Sequence, residues 1–439
     1  MGKSIDRRNF LKKSALTGAA LGVAGPHLFA RGLNSPNEKV VVAIMGGRSR
    51  ARRIAQSCAR VDGIEIASVY DVDERPLKAT ADLLGEIQGK TPQTGTDFRR
   101  ALEDPAIDGL VIGATDHWHA PAAIMAMKAG KHVYVEKPGS HNPWEAEMIV
   151  QAQQRYDKKV QLGNQGRSSP AIMELAREVQ GGIIGRPYYA KTYYTNNRES
   201  IGHGKIVPVP SWLDYELWQG PAPRTPYRDN IIHYNWHWFW KWGTGEINNN
   251  GTHRIEYARW VMGLDGILPI RISSNGGRYH YDDDWEFADT QNVTFDFADG
   301  KSITWDCRSR NNFPSFGTRT PNAVIYGTEG TAVVDGLHEC TVYNPDREQI
   351  RNMVYEPEHN YITTDYHFEN WAAAIREDQK LNSPLEVGQK TVLIQHLANI
   401  SQKLGRSLNI NPANGRVIGD SEAMSMWRRS YEPGWEPRI

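Results

Sequence analysis

Residues 39–51, KVVVAIMGGRSRA, decide the fold of this 439-residue chain. Val40 to Met45 form an apolar, mostly β-branched run, which reads as a strand buried on both faces in a parallel sheet. The run passes into Gly46-Gly47-Arg48-Ser49-Arg50-Ala51 and then a helical stretch, RRIAQSCARV (52–61). A second strand, IEIASVY (64–70), ends at Asp71. Strand, tight loop, helix, strand and acid succeed one another as in a dinucleotide-binding unit. There the loop N–H groups and the helix N-terminus hold a pyrophosphate, and the acid accepts from the adenosine ribose hydroxyls. In the G-x-G-x-x-G frame the second glycine is Arg48 and the third is Ala51. Arg48 crowds the backbone approach to the pyrophosphate, which a guanidinium on phosphate, from Arg48 or Arg50, can offset. Asp71 favours NAD, because a 2′-phosphate would meet a like charge. NADP stays open through Arg48 or Arg50.

The alternation continues downstream. DFRRALEDPAI (97–107) reads as a helix, GLVIGAT (109–115) as a strand, HAPAAIMAMKAG (119–130) as a helix and HVYVEKP (132–138) as a strand. WEAEMIVQAQQRYDK (144–158) and VQLGNQ (160–165) repeat the pair. This spacing specifies a doubly wound parallel sheet with crossover helices, whose ligands bind beyond the strand C-termini. Polar residues collect at those ends: Asp116, His117 and His119, then Glu136 and Lys137, then Asn164 and Gln165.

Composition narrows the function. Lys+Arg and Asp+Glu are both 51, so the chain lacks the basic excess of a nucleic-acid binder. A mean hydropathy of −0.58 excludes a polytopic membrane protein. Cys58, Cys307 and Cys340 give neither a disulfide scaffold nor a metal-binding C-x-x-C. The DDDWE run (282–286) reads as a solvated loop, and His233, His237 and His253 lack a spacing that demands a metal, so none is expected. At the N-terminus, SIDRRNFLK (4–12) and the mildly apolar SALTGAALGVAG (14–25) resemble a twin-arginine export signal, with Asp6 where Ser or Thr is usual. The expected organisation is a signal segment over 1–33, an NAD(P)-binding Rossmann domain over 37–162 and a second domain over 163–439. The resemblance implies export to the periplasm of an already folded protein with its cofactor aboard.

With Glu136-Lys137-Pro138 at a strand end, the chain resembles the Gfo/Idh/MocA oxidoreductases. TDHWH (115–119), GNQ (163–165) and GTGEINNNGTH (243–253) extend the likeness from about Lys39 to the C-terminus. It implies an α+β second domain with a large, mostly antiparallel sheet, which commonly builds a homodimer or homotetramer. It also implies a reacting lysine at Lys137, beside nicotinamide and substrate hydroxyl. A positive nicotinamide would lower the pKa of that amine. The family's D-x-x-x-H helix falls on Asn249 and His253, so asparagine replaces the acid. Asn249 can orient a hydroxyl without taking a proton, and His253 is the expected acid or base. Cofactor contacts are expected from Gly46, Arg48, Ser49, Arg50, Asp71, Asp116, His117, Trp118, His119, Glu136, Lys137 and Asn164. Substrate contacts are expected from Asn164, Gln165, Arg167, His237, Asn249 and His253.

In the second domain, PYYAKTYYTNN, IRISSNGG, TQNVTFDFADGKSITWDC and NAVIYGTEGTAVVD read as strands, two of these stretches as hairpins. YHFENWAAAIRE and TVLIQHLANISQKLG read as helices able to pack back on the first domain. HYNWHWFWKWG places Trp236, Trp238, Trp240 and Trp242 at period two, so an extended segment would put all four indoles on one face and His237 on the other. Packing is preferred to a sugar platform for that row.

These readings point to an exported oxidoreductase moving hydride between a sugar or glycoside carbinol and tightly bound NAD(P). The alternative is a redox-neutral glycosidase or lyase working through a transient 3-keto sugar. The chain looks distantly like the NAD-dependent α-N-acetylgalactosaminidases, but their Tyr-x-x-His segment falls at Ile247 to Asn250, which has neither residue. A third reading is a sugar-binding protein that retains cofactor without turnover, and loss of Lys137 separates it from an enzyme.

Overall fold

The computed structural model describes residues 39–439. The expected signal segment lies outside the described residues. The first layer is a six-stranded sheet in the order β3-β2-β1-β4-β5-β6, every neighbouring pair parallel. In chain order it comprises β1 (Val40–Met45), α1 (Ser49–Arg60), β2 (Ile64–Tyr70), α2 (Leu77–Gln88), β3 (Gln93–Gly95), α3 (Arg99–Glu103), β4 (Gly109–Ile112), α4 (Asp116–Lys128), β5 (His132–Glu136), α5 (Pro143–Tyr156) and β6 (Val160–Gly163). β1 pairs on both sides, Val42 opposite Ile66 and Gly109, so it carries no exposed backbone edge. Its side chains are correspondingly apolar. The strand order reverses between β1 and β4, where doubly wound sheets open a crevice. Helix α3 stops short of the expected 97–107, because Pro105 drives Asp104 into the extended region (φ −81°, ψ 114°). Strand β3, a polar and largely exposed edge, had no apolar run to announce it.

The second domain continues with α6 (Pro170–Gln180), β7 (Pro187–Thr195), α7 (Tyr215–Gln219), α8 (Gly245–Asn249), α9 (Gly251–Val261), β8 (Arg271–Gly277), β9 (Thr290–Asp296), β10 (Ser302–Arg308), β11 (Ala323–Gly327), β12 (Thr331–Val334), β13 (Glu339–Tyr343) and β14 (Gln349–Val354). The chain closes with α10 (Ile362–Glu377), α11 (Leu385–Leu404), β15 (Leu408–Asn409) and α12 (Ser421–Ser425). Nine strands form one sheet, β14-β13-β12-β11-β7-β10-β9-β8-β15, antiparallel except for the β7–β10 pair. Leu175, Ile255, Phe295, Trp305, Ile325 and Ile394 join sheet and helices in one buried core. Helix α10 packs on the first domain: Arg60 grips Asp365 through Nε (2.7 Å) and Nη2 (2.8 Å), and Phe368 stacks on Tyr134 of β5 at 4.3 Å. No helix among the described residues is long and apolar enough to cross a membrane.

Three local expectations are corrected. The aromatic run is not a strand. Asn235–Trp238 forms a 3-10 turn, and Phe239 and Trp242 donate their N–H groups to the carbonyls of Trp236 and Phe239. Local turns therefore satisfy the donors a strand would have sent to a neighbour. The indoles scatter: Trp238 stacks on Trp285 at 3.7 Å, while Trp242 meets Trp218 edge-on at 5.2 Å. The acidic run is not simply solvated either. The Asp283 carboxylate is fully buried in ion pairs with Arg278 and Arg310, which ties that loop to the end of β10. Finally, the stretch carrying Asn249 and His253 is two helices, α8 and α9, broken at Asn250.

Candidate functional site

A cleft of about 570 Å³ opens at the C-terminal ends of β1, β4 and β5 and runs under the second domain. Gly46 sets its floor with φ +114°. A Cβ there would lie 2.7 Å from the Ala51 Cβ, so the loop closes on α1 as tightly as Gly and Ala allow. Asp71 Oδ2 accepts from Gly47 N–H (2.7 Å) and Oδ1 from Asp73 N–H (2.9 Å), which fixes the carboxylate on the cleft wall. Burial pushes its pKa up, against those two donors. Arg48 does not crowd the loop. Its guanidinium turns to Asp73 Oδ2 at 3.1 Å, leaving the loop backbone open. Arg50 is likewise drawn to Glu136 Oε1 at 3.0 Å. Both arginines line the cleft as expected, each already engaged by an acid. The glycine cradle, the start of α1 at Ser49 and the ribose-facing acid fit a dinucleotide.

Beyond this lobe, Lys137 Nζ donates to the Asn249 carbonyl (2.6 Å) and to Asn249 Oδ1 (2.8 Å). Burial pushes the lysine below its usual pKa, while the Glu136 and Asp116 carboxylates pull the other way. A neutral amine holding two N–H groups on Asn249 keeps one lone pair, and Lys137 lines the cleft. Asp116 accepts from Thr244 Oγ1 at 2.5 Å, and burial raises it to about 7. Such a carboxyl changes charge near neutrality beside an amine that also favours its neutral form. His253 lines the same wall, and its imidazole makes no hydrogen bond with the described residues. Burial, then the Lys137 and Arg254 charges, hold it well below an ordinary histidine. Of the acid and base roles expected of it, this favours the base, since the neutral ring keeps one nitrogen as an acceptor. His237 Nδ1–H donates to the Tyr234 carbonyl (2.7 Å), which leaves Nε2 as an acceptor, and the residue lines the cleft.

The remaining expected residues divide. Trp118, His119 and Gln165 line the cleft. Gly139 N–H donates to His119 Nδ1 (3.3 Å), so Nε2–H donates to the Ala114 carbonyl (3.0 Å) and the ring is locked neutral. Gln165 Nε2 donates to Glu136 Oε1 (2.7 Å) and the Tyr134 hydroxyl (2.6 Å), positioning the acid that holds Arg50. His117, Asn164 and Arg167 depart from expectation. His117 is fully buried beside the Trp218 carbonyl at 2.9 Å and lies off the cleft wall. Asn164 is buried with both amide atoms unpartnered, also off the wall. Arg167 is a core ion-pair centre, bound to Glu256 and Asp265 at 2.5 Å each. All three follow strand ends, but the 3-10 turn at Gln165–Ser168 and the N-terminus of α4 rotate them away.

Several lining residues escaped the sequence reading. Tyr361, Thr363 and Thr364 reach the cleft from α10 and its N-cap, more than 200 positions after the glycine loop, and no local motif marks them. Arg254 and Tyr257 stood beside His253, where the motif itself was the available signal.

Comparison with known proteins agrees with this geometry. Residues 38–164 match the model described as oxidoreductase family, NAD-binding Rossmann fold, of the Gfo/Idh/MocA group. Residues 172–437 match the corresponding C-terminal alpha/beta domain. The uncharacterized oxidoreductase YrbE of Bacillus subtilis is 23% identical over 307 residues, covering 70% of this chain and 76% of that one. A glycosyl hydrolase family 109 protein of Shewanella baltica is 27% identical over 214 residues, covering 44% of this chain and only 46% of its own length. Among solved structures, levoglucosan dehydrogenase with NADH and levoglucosan superposes with a TM-score of 0.65 at 18% identity, over 85% of this chain and 99% of that one. Aldose-aldose oxidoreductase from Caulobacter crescentus, complexed with glycerol, gives 0.66 at 16%, over 85% and 100%.

Proposed function

This chain belongs to the Gfo/Idh/MocA oxidoreductase family, and from that premise we propose that it oxidises or reduces a carbinol carbon of a sugar or glycoside with tightly held NAD. The observation that carries the reading is one continuous cleft. It joins the Gly46–Asp71 dinucleotide lobe to Lys137, Asn249 and His253. When bound, the nicotinamide supplies a two-electron acceptor for the carbinol carbon. Lys137, whose ammonium form burial disfavours and which Asn249 orients, takes the hydroxyl proton in its amine form. Neutral His253 and His237 accept from neighbouring hydroxyls. Asp71, with Asp73 holding Arg48, opposes a 2′-phosphate and selects NAD.

Export by the twin-arginine route, with assembly into a dimer or tetramer through the second sheet, completes the proposal. NAD(H) is not replenished outside the cytoplasm, so the cofactor stays bound and a second substrate restores it. Absorbance at 340 nm and cofactor extraction, on protein purified without added nucleotide, test this. Bound nucleotide whose 340 nm band rises with a sugar supports the reading; protein that arrives empty and binds no NAD ends it. The partial likeness to glycosyl hydrolase family 109 favours a second reading, redox-neutral glycoside cleavage. That activity would release aglycone with no net change at 340 nm.

Restoring the family's acid tests the role of Lys137. In Asn249→Asp a carboxylate beside Nζ favours the ammonium and raises the lysine pKa. The catalytic base is the deprotonated form, so the acid-side limb of the kcat–pH profile should move to higher pH and activity at neutral pH should fall. An unmoved limb would show that another group takes the proton.

A further inference from the structure

Arg254, which lines the cleft, lacks the acidic partner that several other arginines of this fold have. Arg167 holds Glu256 and Asp265, Arg198 holds Glu246, Arg310 holds Asp283, and Arg50 in the cleft holds Glu136. Arg254, one residue after His253 on α9, forms no hydrogen bond or ion pair with the described residues, and its Nε is buried without a partner. The nearby acid cannot serve it. Glu246 is taken by Arg198 Nε (2.7 Å) and Nη2 (3.1 Å), and Asn250 donates to it as well. The neighbouring phenol of Tyr194 is itself engaged by Arg198 (3.0 Å) and Asn196 (2.7 Å). A guanidinium partly withdrawn from water with no counter-charge is unfavourable, and an anion arriving in the cleft offsets that cost.

The location says which ligand brings that anion. The dinucleotide phosphates belong to the loop at Gly46–Ser49 and the start of α1. Arg254 lies across the cleft on α9, with Tyr194 of β7 and Tyr257 as its electrostatic neighbours, and it adjoins the wall formed by His253. We propose that Arg254 binds a carboxylate on the substrate, so that the enzyme acts on sugar acids such as hexuronic or aldonic acids rather than on neutral sugars. The two terminal nitrogens of a guanidinium present parallel N–H groups that match the two oxygens of a carboxylate. This assignment rests on the sugar-oxidoreductase reading above.

The test is calorimetric binding to NAD-loaded full-length protein, with 340 nm absorbance recorded in parallel. The probes are glucuronic and galacturonic acids, glucose, galactose and their 6-sulfates, against wild type, Arg254→Gln and Arg254→Lys. A charge-assisted bidentate contact should make an acid bind about 10- to 100-fold more tightly than its parent aldose. The preference should vanish in Arg254→Gln and survive in part in Arg254→Lys. Equal affinity for acid and aldose in wild type overturns the assignment, as does a preference that persists in Arg254→Gln or a sulfate ester held more tightly than the acid. The two levels separate cleanly. An acid that binds through Arg254 without ever changing the 340 nm band removes the oxidoreductase reading and keeps this one. Neutral aldoses that reduce the cofactor while acids neither bind nor react do the opposite.

Discussion

Lys137→Met should retain NAD and the fold while kcat falls by about 10²–10⁴-fold, the range of a removed general acid or base. Methionine matches the length of the stem without the amine, so the buried wall beside Asn249 keeps its packing. What is lost is the nitrogen that donates at 2.6 and 2.8 Å to the two oxygens of Asn249 and faces the cleft. Lys137→Arg makes the experiment discriminating. It keeps a cation but cannot deprotonate, so it should be as inactive as methionine if the amine takes a proton. Recovery of activity in the arginine variant would mean that positive charge alone serves the reaction. Cofactor content of each purified variant separates a catalytic loss from an empty site. Unchanged ligand-dependent behaviour together with absent turnover in the wild type as well would point to the non-enzymatic sugar binder.

Arg167→Leu should strongly lower stability. Arg167 is almost wholly buried and bridges Glu256, which is fully buried, to Asp265 at the edge. Removing the cation leaves Glu256 with the Thr391 hydroxyl as its remaining donor in the core. Stranding one partner of a buried ion pair typically destabilises by about 3–5 kcal/mol. Thermal denaturation should show a clearly lower Tm for Arg167→Leu, with much of the loss regained in Arg167→Leu/Glu256→Leu, where neither charge remains. The KM of the folded single variant should stay at the wild-type value, since Arg167 lies outside the cleft wall. A raised KM with an unchanged Tm would return Arg167 to the substrate contacts.

Most of the first domain was legible. The apolar run Val40–Met45, the glycine loop and Asp71 are local in sequence and demand one arrangement. A strand buried on both faces can sit only inside a sheet, and its loop then lies at the crevice. Lys137 was legible for the same reason, as the last residues of a buried strand are delivered to the rim by the strand itself. His237 reached the cleft although its segment was misread. The period-two aromatic pattern fits a strand only if a neighbouring strand accepts its backbone bonds, and local turns took those bonds instead.

By itself, then, the sequence determined a doubly wound dinucleotide domain with a lysine at the end of one of its strands. Residue type and spacing suffice there, because hydrophobic period and glycine geometry act over a few positions. The second, mostly antiparallel sheet and the grouping of Lys137 with Asn249 and His253 were legible only as what the family resemblance implies. Tertiary structure alone decided which charges are engaged and which are free. Arg48, Arg50 and Arg167 look like ligand-binding cations along the chain, yet each is neutralised by an acid brought to it by the fold, Asp73, Glu136 and Glu256. Arg254, marked along the chain only by its place beside His253, is left without one. Ion pairing depends on distances of a few ångströms between residues up to about a hundred positions apart, and only the folded chain sets those distances.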